Sequence, residues 1–259
     1  MTLIVDNLQV IYDRFILGVR SVSLKVPPGS TVALMGPNGA GKSTTLKAIS
    51  GIAKTERGEV TRGSITYNEI DLVKKSPEEI AKLGIVHVLE GRRIFEELTV
   101  SEHLALAERQ AERLGSRPDV DIALQYFPRL KERQKTRAGY LSGGEQQMLV
   151  IAMALVLRPR LMLLDEPSLG LAPKVVEELF SIVKSINENE KITILLAEQN
   201  VYMSLKISQY GYILENGRIV LDGPSDQLLE NPDVKEFYLG LKGGTYRDVK
   251  YWKRKKRYL

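Results

Sequence analysis

The sequence predicts an α/β fold with a mainly parallel core sheet, an antiparallel β layer near the amino terminus and an inserted α-helical subdomain. Three observations carry this. Four short, nearly continuous apolar runs, Thr31–Met35, Ile85–Leu89, Leu161–Leu164 and Ile192–Ala197, have the character of strands covered on both faces. The first thirty residues instead alternate apolar and polar side chains, the period of half-buried antiparallel strands. A long stretch of about 99–158 is dominated by helical periodicity.

Each element has a local chemical basis. Leu8, Val10 and Tyr12, then Val22, Leu24 and Val26, mark two alternating strands, closed by a Pro27-Pro28-Gly29 turn. Ser64–Leu72 reads as a further short strand in the same style. Helical segments come after the first and third apolar runs, at Lys42–Ser50 and about Pro173–Asn187. Thr99 with Glu102 three residues on forms a capping box for the first helix of the inserted region, and Pro118 and Pro128 interrupt that region. Gly211–Asp222 reads as a hairpin turning at Asn216-Gly217.

Composition narrows the function. The chain has 259 residues, 43% hydrophobic and 27% charged, with no cysteine, which excludes disulfides, thiolate metal sites and thiol catalysis. Its longest apolar run, Met148–Leu157, is about half the roughly 20 residues that cross a bilayer, so neither a membrane span nor a secretion leader is expected. The net charge of +5 invites a nucleic-acid partner, but its location argues otherwise. Residues 242–259 carry +7, with Asp248 their one acid, and residues 1–241 carry −2. Basicity belongs to the tail.

Gly36-Pro37-Asn38-Gly39-Ala40-Gly41-Lys42-Ser43-Thr44 lies between an apolar strand and a helix and matches G-x-x-x-x-G-K-[ST]. Its glycines let backbone N–H groups turn inward around phosphate oxygens, and the adjoining helix aims its positive end at the same anion. Lys42 is then expected to reach the β- and γ-phosphates, and the Ser43 hydroxyl to bind Mg²⁺. Leu161–Leu164 ends in Asp165-Glu166. A hard cation on phosphates needs a carboxylate, for which Asp165 is the candidate, while Glu166 can orient or deprotonate an attacking water. Glu90 comes after the second apolar run and Glu198-Gln199 after the fourth, so three strands are expected to present polar groups to one γ-phosphate site.

Leu141-Ser142-Gly143-Gly144-Glu145 precedes a second apolar helix. Ser142 and Glu145 fit a capping box, and a helix start with two glycines and a free serine hydroxyl also suits an anion. Because the chain commits one phosphate loop to its own nucleotide, this second site is expected to bind a partner's.

Taken together the motifs resemble the ATPase subunit of an ABC transporter, a P-loop NTPase, along residues 1–241. GPNGAGKST resembles its Walker A, LMLLDE its Walker B with a catalytic glutamate at Glu166, LSGGEQQ its signature, and Tyr12 the aromatic that stacks on adenine. The resemblance implies that two such subunits pair head to tail, each nucleotide lying between the Walker A of one and the signature of the other. Three departures sharpen it. Glu90 stands where the Q-loop usually has glutamine, Gln199 replaces the switch histidine, and the D-loop reads Ser168-Leu169-Gly170-Leu171 instead of ending in aspartate. The EGRR-I-F, LSGGEQQ, DEPSLGLAP and AEQN runs resemble an ATPase of branched-chain or hydrophobic amino-acid importers.

The resemblance further implies an ATP- and Mg²⁺-dependent ATPase at the cytoplasmic face of a membrane. Its partners would be a second, different ATPase subunit (a homodimer being the alternative), two permease subunits and, indirectly, an extracytoplasmic solute-binding protein. Glu90 joins Ser43 and Asp165 as a candidate metal neighbour, and its loop is the expected contact with the permease. An ABC-type ATPase acting on nucleic acid would carry long coiled coils or two cassettes, neither of which the sequence shows. An exporter or lipid-extracting system sharing these motifs is the remaining alternative, opposed by the EGRR and AEQN runs. Aromatics interleaved with basic residues between 246 and 259 also suit an anionic lipid surface, so deleting 242–259 is expected to weaken binding to anionic vesicles in a flotation assay.

Overall fold

Alternation at the amino terminus produces β1 (Leu3–Tyr12) and β2 (Ile16–Val26), an antiparallel pair whose inward positions Leu3, Val5, Leu8, Val10, Val19, Val22, Leu24 and Val26 are buried. The structure is a computed structural model and describes residues 1–238, so the tail at 242–259 and its expected lipid contact lie outside the described residues. After the proline–glycine turn come β3 (Thr31–Met35) and α1 (Lys42–Ile49). β4 (Gly58–Tyr67) pairs with β1, and β5 (Ile70–Asp71) folds back on it. The strand expected at Ser64–Leu72 therefore begins earlier and contains a turn. Its first half was hidden because the side chains at 59–64 are mostly exposed and polar, and Asn68 and Glu69 turn the chain at positive φ (52° and 70°).

α2 (Pro77–Lys82) leads to β6 (Ile85–Val88), and then come the inserted helices: α3 (Val100–Arg113), α4 (Val120–Tyr126), α5 (Pro128–Glu132) and α6 (Gly143–Val156). Thr99 and Glu102 make the expected capping box, and Pro128 opens α5. β7 (Leu161–Asp165), α7 (Pro173–Glu190), β8 (Thr193–Glu198) and α8 (Val201–Ile207) complete the core. β9 (Tyr210–Glu215) and β10 (Arg218–Pro224) form the expected hairpin, with Asn216 and Gly217 both at positive φ, and α9 (Ser225–Glu230) and α10 (Pro232–Phe237) close the chain described.

One sheet runs β5-β4-β1-β2-β10-β9-β3-β8-β7-β6. Its β9-β3-β8-β7-β6 portion is parallel. β3, β7 and β8 are buried along their whole length, as continuous apolar runs require, whereas β6 is an edge strand with two half-buried positions. Alternate side chains separate two cores. Leu34, Leu163 and Leu195 pack with α1 and the antiparallel strands, while Leu164, Ile194 and Leu196 pack with the inserted helices and α7. Helices α1 and α6 thus lie on opposite faces of the sheet. Buried Asn187 ties these parts together, its Nδ2 donating to the carbonyls of Gly29 and Ile192 at 3.0 and 2.7 Å.

His87 on β6 places Nδ1 2.9 Å from Ser50 Oγ and seals Nε2 from solvent without a partner. Burial, then the positive charges of Lys47 and Arg93, push the imidazole down from 6.5 to about 3. Below the ordinary value the unfolded chain takes up a proton that the folded chain refuses. This contribution is therefore intact above pH 6.5 and is lost as pH falls toward 3, at up to about 1.4 kcal/mol per unit. Urea melts at pH 7 and pH 5 are expected to show a smaller acid loss of stability in His87→Asn than in the parent; equal losses would remove His87 as the cause.

Candidate nucleotide site

The phosphate loop spans the end of β3 and the start of α1. A Cβ on Gly36 would meet the Leu214 carbonyl oxygen at 2.2 Å, so backbone closeness demands glycine there. Gly41 combines a φ of 107° with a would-be Cβ 2.8 Å from the Gly18 carbonyl oxygen, and it caps α1. Pro37, Asn38 and Gly39 form an exposed crown, while Ala40 and Lys42 are buried. Lys42 Nζ donates to the carbonyls of Gly36 and Pro37 at 2.8 and 3.1 Å and pairs with Glu166 Oε1 at 2.9 Å. The ammonium is thus held inside the loop where anionic oxygens would be cradled.

β7 delivers the acidic pair. Its register places Asp165 beside Ala197, and that of β3 places Met35 beside Glu198, so Glu166 comes level with Glu198, and Gly36 with Gln199 one residue further on. Ser43 Oγ donates to Asp165 Oδ1 at 2.8 Å, joining the two predicted cation ligands. Asp165 is 1% exposed, and its Oδ2 has no hydrogen-bond partner. Burial, with the nearby negative charges of Glu166 and Glu90, outweighs the Ser43 bond and raises its carboxyl to about 6. An orphaned oxygen on a carboxyl so destabilised as an anion fits a divalent cation, which would restore the charged form. Among the described residues no three His, Cys, Asp or Glu side chains gather into a metal cage.

Glu90 sits exposed beyond β6 and makes no hydrogen bond to Ser43 or Asp165; its charge alone is felt there. Gln199 is exposed at the end of β8, its side chain free for a ligand. Sequence reasoning missed the part played by Glu198, which is 2% exposed. Its carboxylate accepts from the Ser168 amide at 2.9 Å and from the Gln199 amide at 3.2 Å, and its carbonyl accepts from Gly36 N. It therefore joins the turn at Ser168, Gln199 and the phosphate loop. The only available signal was a carboxylate at the end of an apolar run.

Tyr12 is half-buried, packed against the core on the α1 side of the sheet and flanked by two glycines. A Cβ on Gly58 would be 2.7 Å from its ring, and one on Gly18 would be 3.1 Å from the ring and 3.0 Å from Thr44 Cγ2. Gly18 thus stands close to both the Tyr12 ring and the first turn of α1.

Leu141, Ser142, Gly143, Gly144 and Glu145 open α6, on the other face of the sheet from α1. The capping box is formed as expected. The Ser142 hydroxyl is not free: it donates to Glu145 Oε2 at 2.7 Å, and the Ser142 amide donates to the same oxygen at 2.8 Å. Glu145 Oε1 in turn pairs with Arg133 at 3.0 Å. The structure thus joins Lys42, Ser43, Asp165 and Glu166 into one cluster, sets Gln199 beside it, and keeps the signature segment apart.

Comparison with known proteins agrees with this geometry. The profile of the family described as "ABC transporter" matches residues 19–169. The chain is 43% identical over 235 residues to the high-affinity branched-chain amino acid transport ATP-binding protein BraG of Pseudomonas aeruginosa, covering 91% of this chain and 98% of BraG. It is 37% identical over 220 residues to the probable branched-chain amino acid transport ATP-binding protein LivF of Archaeoglobus fulgidus, covering 85% and 91%. Its fold matches the ADP conformation of MJ1267, an ATP-binding cassette of an ABC transporter, with a TM-score of 0.78 and 26% identity over 93% of this chain and 99% of that one.

Proposed function

The chain belongs to the ABC transporter family, and from that membership we propose that it is the ATP-hydrolysing subunit of an importer of branched-chain or other small hydrophobic amino acids. The observation that carries the chemistry is the pair of contacts Lys42–Glu166 and Ser43–Asp165, which brings a phosphate-binding cation, a base and a cation site together. The likeness to BraG and LivF supports the solute class.

Each residue has a definable task. Tyr12 stacks on adenine, and the backbone of Gly36–Thr44 with Lys42 binds the phosphates. Ser43 and Asp165 hold Mg²⁺, which when bound neutralises charge on the phosphate oxygens. Glu90 adds negative charge at a distance. Glu166 accepts a proton from the attacking water, and Gln199 donates a hydrogen bond to the γ-phosphate. Because α1 and α6 occupy opposite faces, Leu141–Glu145 serve the nucleotide of a second ATPase subunit. ATP adds contacts to both subunits and so favours the closed pair.

Among the described residues no helix is long and apolar enough to cross a membrane, in keeping with a peripheral subunit docked on two permeases at the cytoplasmic face. A solute-binding protein outside would act through those permeases. Affinity purification of the full chain from membranes of its own cells is expected to recover two multispan proteins and a second ATPase. Recovery of RNA or DNA without them would overturn the reading, and loss of leucine uptake on disrupting the gene tests the solute.

Gln199 cannot carry the positive charge open to histidine. Since a positive charge about 4 Å from a phosphate charge gains about 1 kcal/mol even in water, Gln199→His is expected to raise turnover roughly fivefold in a phosphate-release assay. An unchanged or lower rate would count against this role.

A further inference from the structure

Arg92, in the loop after β6, has a left-handed backbone (φ 47°) and sends its side chain across to two other motifs. Its Nη2 donates to the Leu169 carbonyl oxygen of the D-loop at 2.8 Å. A Cβ on Gly143 would lie 2.7 Å from Nη1, and one on Gly170 would lie 3.3 Å from Nη2. The guanidinium therefore fills a notch between the D-loop and the amino end of α6, and any side chain at 143 would displace it.

This placement makes poor electrostatic sense within one chain. A helix amino terminus carries partial positive charge, which disfavours a cation beside it. No carboxylate pairs with Arg92 among the described residues, and Glu145, the acid of that helix end, is committed to Ser142 and Arg133. A guanidinium offers about five N–H donors, and the D-loop carbonyl takes one. An anchored, half-buried cation with spare donors, at a helix end that also offers N–H groups, calls for an anion shared by both.

We propose that Arg92 reaches across the subunit pair to the phosphates of the nucleotide held by the second subunit's phosphate loop. The inference rests on the proposed two-subunit nucleotide site and adds a cation to it. The Leu169 bond positions the guanidinium before the subunits meet, which lowers the ordering cost of closure. The same bond ties the permease-facing loop to the D-loop, so nucleotide capture and the position of that loop are linked.

The test uses the full chain carrying Glu166→Gln, alone and with the second ATPase recovered with it. Dimer fraction is measured by light scattering as Mg²⁺ and ATP are titrated, and single-subunit binding is measured with a fluorescent ATP analogue at dilutions where no dimer forms. Adding Arg92→Gln is expected to raise the ATP concentration needed for dimerisation tenfold or more, while single-subunit affinity stays within twofold. Arg92→Lys, which keeps the charge, recovers most of the loss. Unchanged dimerisation in Arg92→Gln overturns the proposal. So do equal losses in the glutamine and lysine variants, which would leave only the D-loop bond as the cause. If the Glu166→Gln parent binds ATP yet never pairs, the two-subunit reading itself falls, and the role of Arg92 with it.

Discussion

Glu166→Gln cuts ATP turnover by about 10²–10⁴-fold while nucleotide binding persists: this is the expected result, and the size is that of a positioned general base. The substitution preserves shape. Glu166 accepts the 2.9 Å contact from Lys42, and a glutamine carbonyl oxygen can still receive it. What is lost is the capacity to take a proton from water. The backbone shows that this position is built for aim. Glu166 stands at φ 45°, strained for a residue with a side chain, and is held by its amide donating to the Ala197 carbonyl and its carbonyl accepting from Leu169 N. Phosphate release should collapse in the variant, and an ATP-bound pair should accumulate on a sizing column. Turnover within threefold of the parent would remove Glu166 as the base.

Lys42→Ala acts on both binding and folding. The ammonium is 2% exposed and has three partners, the Gly36 and Pro37 carbonyls and Glu166. Its loss strips the phosphates of their nearest cation, for which a fall in ATP affinity of about a hundredfold or more, ~2.7 kcal/mol, is expected. It also leaves the Glu166 carboxylate, 9% exposed, without its counter-charge, which typically costs about 3–5 kcal/mol of stability. The two effects separate in Lys42→Ala/Glu166→Ala. Removing the stranded carboxylate should restore much of the stability in urea melts, whereas nucleotide titrations should stay as weak as in the single variant. A double variant no more stable than Lys42→Ala would show that the buried pair is not the source of the loss.

Some of this was legible because local pattern determines which faces are covered. Residues 31–35, 161–164 and 192–197 read as buried strands because each run is nearly continuously apolar, and the proline and capping signals bounded the inserted helices. Partnerships between distant segments were not legible. The 210–224 hairpin showed itself through Asn216-Gly217, but nothing local says that β9 lies parallel to β3 and that β10 meets β2 at Arg218 and Ser21. The acidic pair and phosphate loop were visible as motifs. Side-chain commitments were not: Ser142 turned out to be bound to its own cap, and Glu198 and Arg92 to hold successive D-loop residues from two sides.

The placement of α1 and α6 on opposite faces of the sheet has a consequence for genetics. On the two-subunit reading, one gene product carries halves of two different reaction centres, so a lesion is felt at a distance from the chain's own nucleotide. Lesions at Lys42 and Ser142 of this one chain then strike both centres, although a single gene is damaged. A lesion at Lys42 joined to one in the signature of the second subunit strikes a single centre twice and leaves the other whole. Damage spread over two genes is therefore the milder combination, and damage confined to one is the more severe.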